Sequence, residues 1–354
     1  MHEPIRVGVV GFGLAGRIFH TAVVAATPGL ELACIVQRTG DEAAQAYPGV
    51  RIARTVEEML GDSGIQLVVI ATPSYSHCEL AKQCLRDQRH VVVDKPFTLT
   101  SRDAAELIHL ADERKLLLTA YQNRRWDGDF QTVLQVIESG KLGPLVSFET
   151  HMDRFRPEPR LQAWRESGGP GGGILFDLGP HLVDLALTLF GPPETIWASI
   201  RIEREDAVVD DAWDIFLTYA HRSPASVLLR ATLTACAPGP RFVLHGTRGS
   251  FTKWGIDPQE EQLKAGMSFD APGMGEEPQR AWGELTLHEG GTRRVPTLRG
   301  DYRGFYANVR DVLLGRAELV VKPRQAWQTT RLIELARESA AQGRRLRADF
   351  SGQP

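Results

Sequence analysis

Up to Ala120 the apolar residues fall into short, nearly continuous runs separated by amphipathic stretches. Ile5 to Val10, Leu30 to Val36, Leu67 to Ala71, Val91 to Val93 and Leu116 to Ala120 read as strands, with helices at Leu14 to Ala26, Ser76 to Asp87 and Ser101 to Lys115 between them. Thr55-Val56-Glu57-Glu58 has capping-box spacing and opens another short helix. Strands this uniformly apolar are covered on both faces, so the pattern predicts an α/β domain on a parallel sheet.

After Tyr121 the pattern changes. A helix from Asp129 to Ser139 leads to a strand, Val146 to Met152, and then to a glycine-rich loop, Gly168-Gly169-Pro170-Gly171-Gly172-Gly173. The helix that follows is expected to carry Pro180 in its first turn, where a missing N–H is harmless. Thr195 to Val295 reads mainly as strands, including Ile196 to Glu203, Trp213 to Tyr219, Ala225 to Leu233 and Phe242 to His245. Two helices, Tyr302 to Leu314 and Arg324 to Gln342, close the chain. The expected organisation is a parallel-sheet domain, residues 1–122, and an α+β domain, residues 123–354, with a large, mostly antiparallel open sheet. The last helix is a candidate to pack back on the first domain.

Composition narrows the function classes. The 354 residues are 42% hydrophobic and contain no low-complexity tract or internal repeat, as in a globular protein of two domains. Lys and Arg number 41 against 44 Asp and Glu, a net charge of −3, which offers no basic field for nucleic acid and no polybasic membrane anchor. The opening Met1-His2-Glu3-Pro4-Ile5-Arg6 is not apolar, and no run of about 18 apolar residues occurs, so a cytoplasmic protein without leader or membrane span is expected. Cys34, Cys78, Cys84 and Cys236 lack CxxC spacing and suit reduced thiols.

Gly11-Phe12-Gly13-Leu14-Ala15-Gly16 follows the first strand and opens the first helix, the context in which a GxGxxG loop holds a dinucleotide and makes the first domain Rossmann-type. Gly11 permits the tight turn, Gly13 lets a pyrophosphate approach the backbone, and Gly16 allows close helix packing. At the end of the second strand, where an NAD-selective site carries a carboxylate, stands Gln37-Arg38-Thr39. Arg38 suits the 2′-phosphate of NADP, so NADP is preferred to NAD.

Asp94-Lys95-Pro96 closes the run His90-Val91-Val92-Val93 and puts an ammonium at the ligand edge of the same sheet. An ammonium there can polarise a carbonyl or exchange a proton with a hydroxyl. With the glycine loop, it points to an oxidoreductase. Asp177 and His181 stand four apart at a helix start, spacing that can bring the carboxylate beside the imidazole and fix its tautomer. Other constellations are weaker. His151 and Asp153 alternate on a strand and read as pocket lining rather than as metal ligands with His181, so no metal is expected. Asp210-Asp211 reads as a solvated acidic pair, and no GxSxG, HExxH or P-loop pattern is present.

The glycine loop, Asp94-Lys95-Pro96 and Gly171-Gly172-Gly173-Ile174-Leu175-Phe176-Asp177-Leu178-Gly179-Pro180-His181 resemble the Gfo/Idh/MocA family of NAD(P)-dependent oxidoreductases over essentially the whole chain. Asn123-Arg124-Arg125-Trp126-Asp127, Asp153-Arg154-Phe155-Arg156-Pro157 and Trp164-Arg165-Glu166 are similar to the branch containing NADP-dependent scyllo-inositol dehydrogenases. The resemblance implies a catalytic group of Lys95, Asp177 and His181, with His181 moving the proton and Lys95 holding the reacting oxygen. It implies a cofactor site of Gly11, Phe12, Gly13, Leu14, Gly16, Gln37, Arg38, Thr72, Pro73, His77, Asp94, Lys95, Asn123, Trp164 and Arg165. Asp153, Arg154 and Tyr306 would join the catalytic group around the substrate. One departure stands out: the family commonly has Glu where this chain has Asp94.

The implied reaction interconverts a secondary alcohol and a ketone on a cyclic polyol or sugar, with scyllo-inositol and 2-keto-myo-inositol the leading pair. A homodimer or homotetramer is expected from the family. Two rivals come from related proteins: a sugar-responsive regulator that binds NAD(P) without turnover, and an NAD-dependent glycosidase. Lys95, Asp177 and His181 together argue against the first; net change in the reduced coenzyme separates the dehydrogenase from both.

Overall fold

The computed structural model describes residues 3–220, 223–352 and 354. Met1 and His2, part of the opening segment read above, lie outside them. The first sheet contains β1 (Ile5–Val10), β2 (Leu30–Val36), β3 (Arg51–Ala53), β4 (Leu67–Ile70), β5 (His90–Val93) and β6 (Leu118–Ala120), all parallel, in the order β3-β2-β1-β4-β5-β6. Every residue of β4 is buried, as an apolar run covered on both faces requires.

The helices of this domain are α1 (Gly16–Thr21, wound wider than an α-helix, then Ala22–Ala25), α2 (Glu42–Ala46), α3 (Val56–Leu60), α4 (His77–Arg86) and α5 (Ser101–Arg114). Thr55 caps α3 by accepting the Glu58 N–H at 3.2 Å, while the Glu58 carboxylate reaches back to the Arg54 N–H at 2.7 Å, one residue beyond its capping-box target. Thr100 caps α5 in the same way through Asp103.

Beyond the turn Asn123–Trp126 come α6 (Gly128–Glu138), β7 (Leu145–Asp153) and α7 (Ile174–Phe190). The second sheet adds β8 (Thr195–Arg201), β9 (Ala212–Thr218), β10 (Ser226–Thr232), β11 (Phe242–Gly246), β12 (Gly249–Lys253), β13 (Gly283–Leu287), β14 (Gly291–Val295) and β15 (Leu346–Arg347). Its order is β14-β13-β12-β11-β7-β10-β9-β8-β15, antiparallel except where β10 runs beside β7. A short helix, α8 (Gln259–Lys264), interrupts the strands that the sequence suggested, because Gln259-Glu260-Glu261-Gln262-Leu263-Lys264 are strong helix formers behind Pro258.

One face of this sheet buries Phe148, Trp213 and Leu217 against α7 and the last helix, α10 (Pro323–Gln342). The preceding helix, α9 (Arg303–Leu313), buries Phe305, Tyr306 and Val309 in the core of the first sheet. Trp327 of α10 likewise enters first-domain core, and Glu334 accepts hydrogen bonds from both Ser101 N–H and Oγ at 2.7 Å. The C-terminal helices therefore tie the two sheets together.

Candidate active site

A cleft opens at the carboxyl ends of β1 and β4, where the strand order of the first sheet reverses. Gly11 has φ +102°, and a Cβ there would stand 2.7 Å from the Ala71 carbonyl oxygen. On Gly16 it would stand 2.0 Å from the Gly11 oxygen, whereas around Gly13 the space is open. The outer glycines thus close the turn, and the middle one leaves bare backbone beside which a phosphate fits.

A cavity of about 580 Å³ runs from Gly11, Phe12 and Gly13 past Gln37 and Arg38 to Thr72 and Pro73. Arg38 is exposed on its wall and has no hydrogen bond or ion pair with another described residue. The Gln37 side chain is occupied locally, donating to Glu42 and accepting the Ala43 N–H at 2.8 Å. Arg54, absent from the sequence-derived site, shapes the same wall by donating to the Gln37 and Gly40 carbonyls and to Asp41. The residues present fit a dinucleotide.

A second cavity, of about 540 Å³, brings together Leu14, Asp94, Lys95, Asn123, Arg154, Trp164, Arg165, Asp177 and His181. Lys95 extends from the end of β5, and its ammonium donates to both Asp177 Oδ1 and the Asp177 carbonyl oxygen at 2.7 Å. Arg165 Nε stands 3.3 Å from the same carboxylate oxygen. Burial by itself would raise the Asp177 pKa, but the two cations more than offset it and hold the carboxyl well below the ordinary carboxylate range.

This geometry corrects the expected Asp177–His181 contact. A charged ammonium competes for a carboxylate better than a neutral imidazole does, so Asp177 turns to Lys95 and His181 Nδ1 stays buried without a hydrogen-bond partner. Burial first, then Lys95 and Arg124, push the His181 pKa well below 6.5, with Asp177 opposing them. The result is a neutral imidazole beside an ammonium.

Asp94 lies behind Lys95. Its Oδ1 accepts the Lys95 N–H at 2.8 Å and stands 3.5 Å from His20 Nε2, while His20 Nδ1 meets the Tyr306 hydroxyl at 2.7 Å. Tyr306 is fully buried and does not line the cavity; α9 carries it into the first-sheet core, so it reaches the site through its hydrogen bond to His20 and through its ring contact with Tyr121, which does line the cavity. The sequence offered no signal for His20, which reads as one more core position of the first helix.

Asp153 also departs from its expected place. Phe148, Thr150 and Met152 of β7 are buried, which sends His151 and Asp153 to the opposite face. There the two stand 3.8 Å apart and Asp153 accepts the Gly239 N–H at 3.2 Å; Arg154, one residue on, faces the cavity. His77 is buried away from both cavities, with its ring nitrogens 2.8 and 2.9 Å from the carbonyl oxygens of Pro96 and Thr72. It fastens the ends of β5 and β4, the strands that carry Lys95 and Thr72.

The loop after β7 folds over the cavity. Arg165 stacks on Trp164 at 4.5 Å, Trp164 meets Tyr75 edge-on, and Glu166 pairs with buried Arg204 at 3.0 Å. Helix α7 starts at Ile174, so Pro180 sits inside it rather than in its first turn. The reason is Asp210, whose carboxylate accepts the Leu175 N–H at 2.7 Å and whose carbonyl accepts that of Ile174 at 3.0 Å. Asp210-Asp211 is therefore not a solvated pair: Asp211 is buried and bonded to Arg204 at 2.9 Å. Arg124, Glu260 and Lys264 also line the cavity, the last two delivered by the unforeseen α8.

Residues 5–122 match the family model described as oxidoreductase family, NAD-binding Rossmann fold, and residues 135–347 match its C-terminal alpha/beta domain. The chain is 42% identical over 349 residues to the uncharacterized oxidoreductase YdgJ of Escherichia coli (strain K12), covering 96% of this chain and 97% of that one. It is 33% identical over 345 residues to scyllo-inositol 2-dehydrogenase (NADP(+)) IolW of Bacillus subtilis (strain 168), covering 97% and 95%. Among solved structures, the YPO2259 oxidoreductase from Yersinia pestis has a TM-score of 0.91 at 40% identity, with 98% of each chain covered.

Proposed function

The chain belongs to the Gfo/Idh/MocA oxidoreductase family, and from that premise we propose that it interconverts a secondary alcohol and a ketone on a cyclic polyol or sugar, using NADP. The observation that carries this reading is the 2.7 Å Lys95–Asp177 pair beside the neutral imidazole of His181, in a cavity that also receives Leu14 of the glycine loop. NADP, when bound, supplies or accepts the hydride. The glycine loop would hold its pyrophosphate and Arg38 its 2′-phosphate.

In the oxidative direction His181 takes the hydroxyl proton; with Nδ1 buried, Nε2 is the nitrogen left for it. The Lys95 ammonium holds the same oxygen and stabilises the charge that develops on it. Asp177 keeps that ammonium aimed, through its carboxylate and its carbonyl oxygen. Trp164 and its loop restrict water. The name of the Bacillus relative makes scyllo-inositol and 2-keto-myo-inositol the first pair to assay. We place the protein in the cytoplasm as a homodimer or homotetramer joined through the open face of the second sheet, where Trp197 is exposed.

His181→Ala should lower turnover by about 10² to 10⁴ while NADP still binds. This is measured as steady-state turnover alongside coenzyme titration by fluorescence. Unimpaired turnover would overturn the role given to His181.

A further inference from the structure

The substrate cavity holds more positive charge than the proposed reaction uses. Its acids are committed: Asp177 to Lys95 and Arg165, Glu260 to Arg124 and Lys264, Glu261 to Lys264, Glu166 to Arg204, and Asp94 to the Lys95 N–H and His20. Arg154 and Arg156, which also line it, have side chains with no hydrogen bond or ion pair to another described residue. Both are half-buried and have given up hydration; Asp177 and Glu260 attract Arg154 through space, but neither guanidinium is directly paired with a described carboxylate. Between them a recess of about 50 Å³ opens off the cavity, with Arg165 and Arg204 on its wall. The carboxylates there, Glu166, Asp177 and Asp210, are each bonded elsewhere, Asp210 to the start of α7.

A neutral ring gives such a recess only hydroxyl hydrogen bonds, whereas two free guanidiniums match the paired oxygens of a carboxylate or phosphate. We propose that Arg154 and Arg156 form an anion subsite, and that the preferred substrate is a sugar or polyol bearing a carboxylate or phosphate. The proposal rests on the ring alcohol–ketone reading and sharpens it. A neutral inositol would still fit the reacting end but leave the recess empty, and would bind more weakly.

The test uses the full-length protein saturated with NADP⁺ and three matched probes: D-glucose, D-glucuronate and D-glucose 6-phosphate. Binding is read by quenching of tryptophan fluorescence, Trp164 being in the cavity wall. At least one anion should bind about tenfold or more tightly than glucose, and Arg154→Gln and Arg156→Gln should each shrink that ratio, with thermal unfolding reporting that the variants fold. The arm that shows the preference separates carboxylate from phosphate. Equal or tighter binding of glucose, no anion binding, or a ratio unchanged in both variants overturns the subsite. Coenzyme reduction assayed with the same probes and scyllo-inositol tests the underlying reaction separately. Turnover of neutral rings without anion preference sinks only the subsite; anion binding without turnover of any ring sinks only the reaction.

Discussion

At His181 a single side chain links burial to rate. Its neutral form, favoured by burial and by Lys95 and Arg124, is the form that accepts a proton. In the alcohol-oxidising direction, kcat/KM should therefore stay level through neutral pH and fall only below the ordinary histidine value of 6.5; in the reducing direction, which needs the protonated ring, it should decline as pH rises. A pH–rate profile in both directions checks this, and an oxidative limb above 6.5 would count against it. Arg38 carries the coenzyme choice. Arg38→Asp should cut the preference for NADP over NAD by about 10- to 100-fold in kcat/KM, since it exchanges a charge-assisted phosphate contact for repulsion. That Lys95 and His181 meet in one cavity was foreshadowed in the sequence, because Lys95 closes an apolar strand and His181 follows the glycine-rich loop. Asp153 and Tyr306 were misplaced for a physical reason: strand alternation and helix rotation decide which face a residue takes, and neither is fixed by sequence neighbours alone. His20, which connects Tyr306 to Asp94, carried no local mark at all.

Helix α7 holds the site in register, and its supports come from distant parts of the chain. Asp210 caps its first turn, and Asp184, three residues beyond His181, accepts from Arg125 Nε at 2.8 Å and Nη2 at 2.7 Å. Both partners are almost fully buried, so Arg125→Ala leaves an uncompensated carboxylate and should cost about 3–5 kcal/mol in denaturant unfolding. The double replacement Arg125→Met with Asp184→Leu should recover most of that loss, because it removes both charges and keeps the volume. A double variant no more stable than the single one would contradict this account. The apolar strands and the Thr55 cap were readable in advance, since period and capping act over a few residues. The true start of α7 was not, because its cap arrives from Asp210, far along the chain. Helix α8 was missed for the opposite reason: its signal is local but lies within a long stretch of strands.

The whole molecule sets a parallel sheet, whose strand ends carry the glycine loop and Lys95, against an α+β domain that supplies Asp177, His181 and the covering loop. Alternation of strand and helix, then runs of strand, made this architecture legible from the sequence. The return of α9 and α10 to the first domain was only partly so: an apolar stripe says that a helix packs, not on what. Because these helices bind the two sheets together, the cavity between Lys95 and His181 belongs to neither domain alone. The central claim is that this shared cavity carries out net oxidoreduction, and near-ultraviolet absorbance of the reduced nicotinamide tests it most directly. With NADP⁺ and a panel of inositols, sugars and their acid or phosphate derivatives, at least one compound should drive sustained formation of NADPH, more efficiently than NAD⁺ supports, and its ketone should drive the reverse. Binding of coenzyme and ring compounds with no net change in NADPH or NADH in either direction would contradict the account.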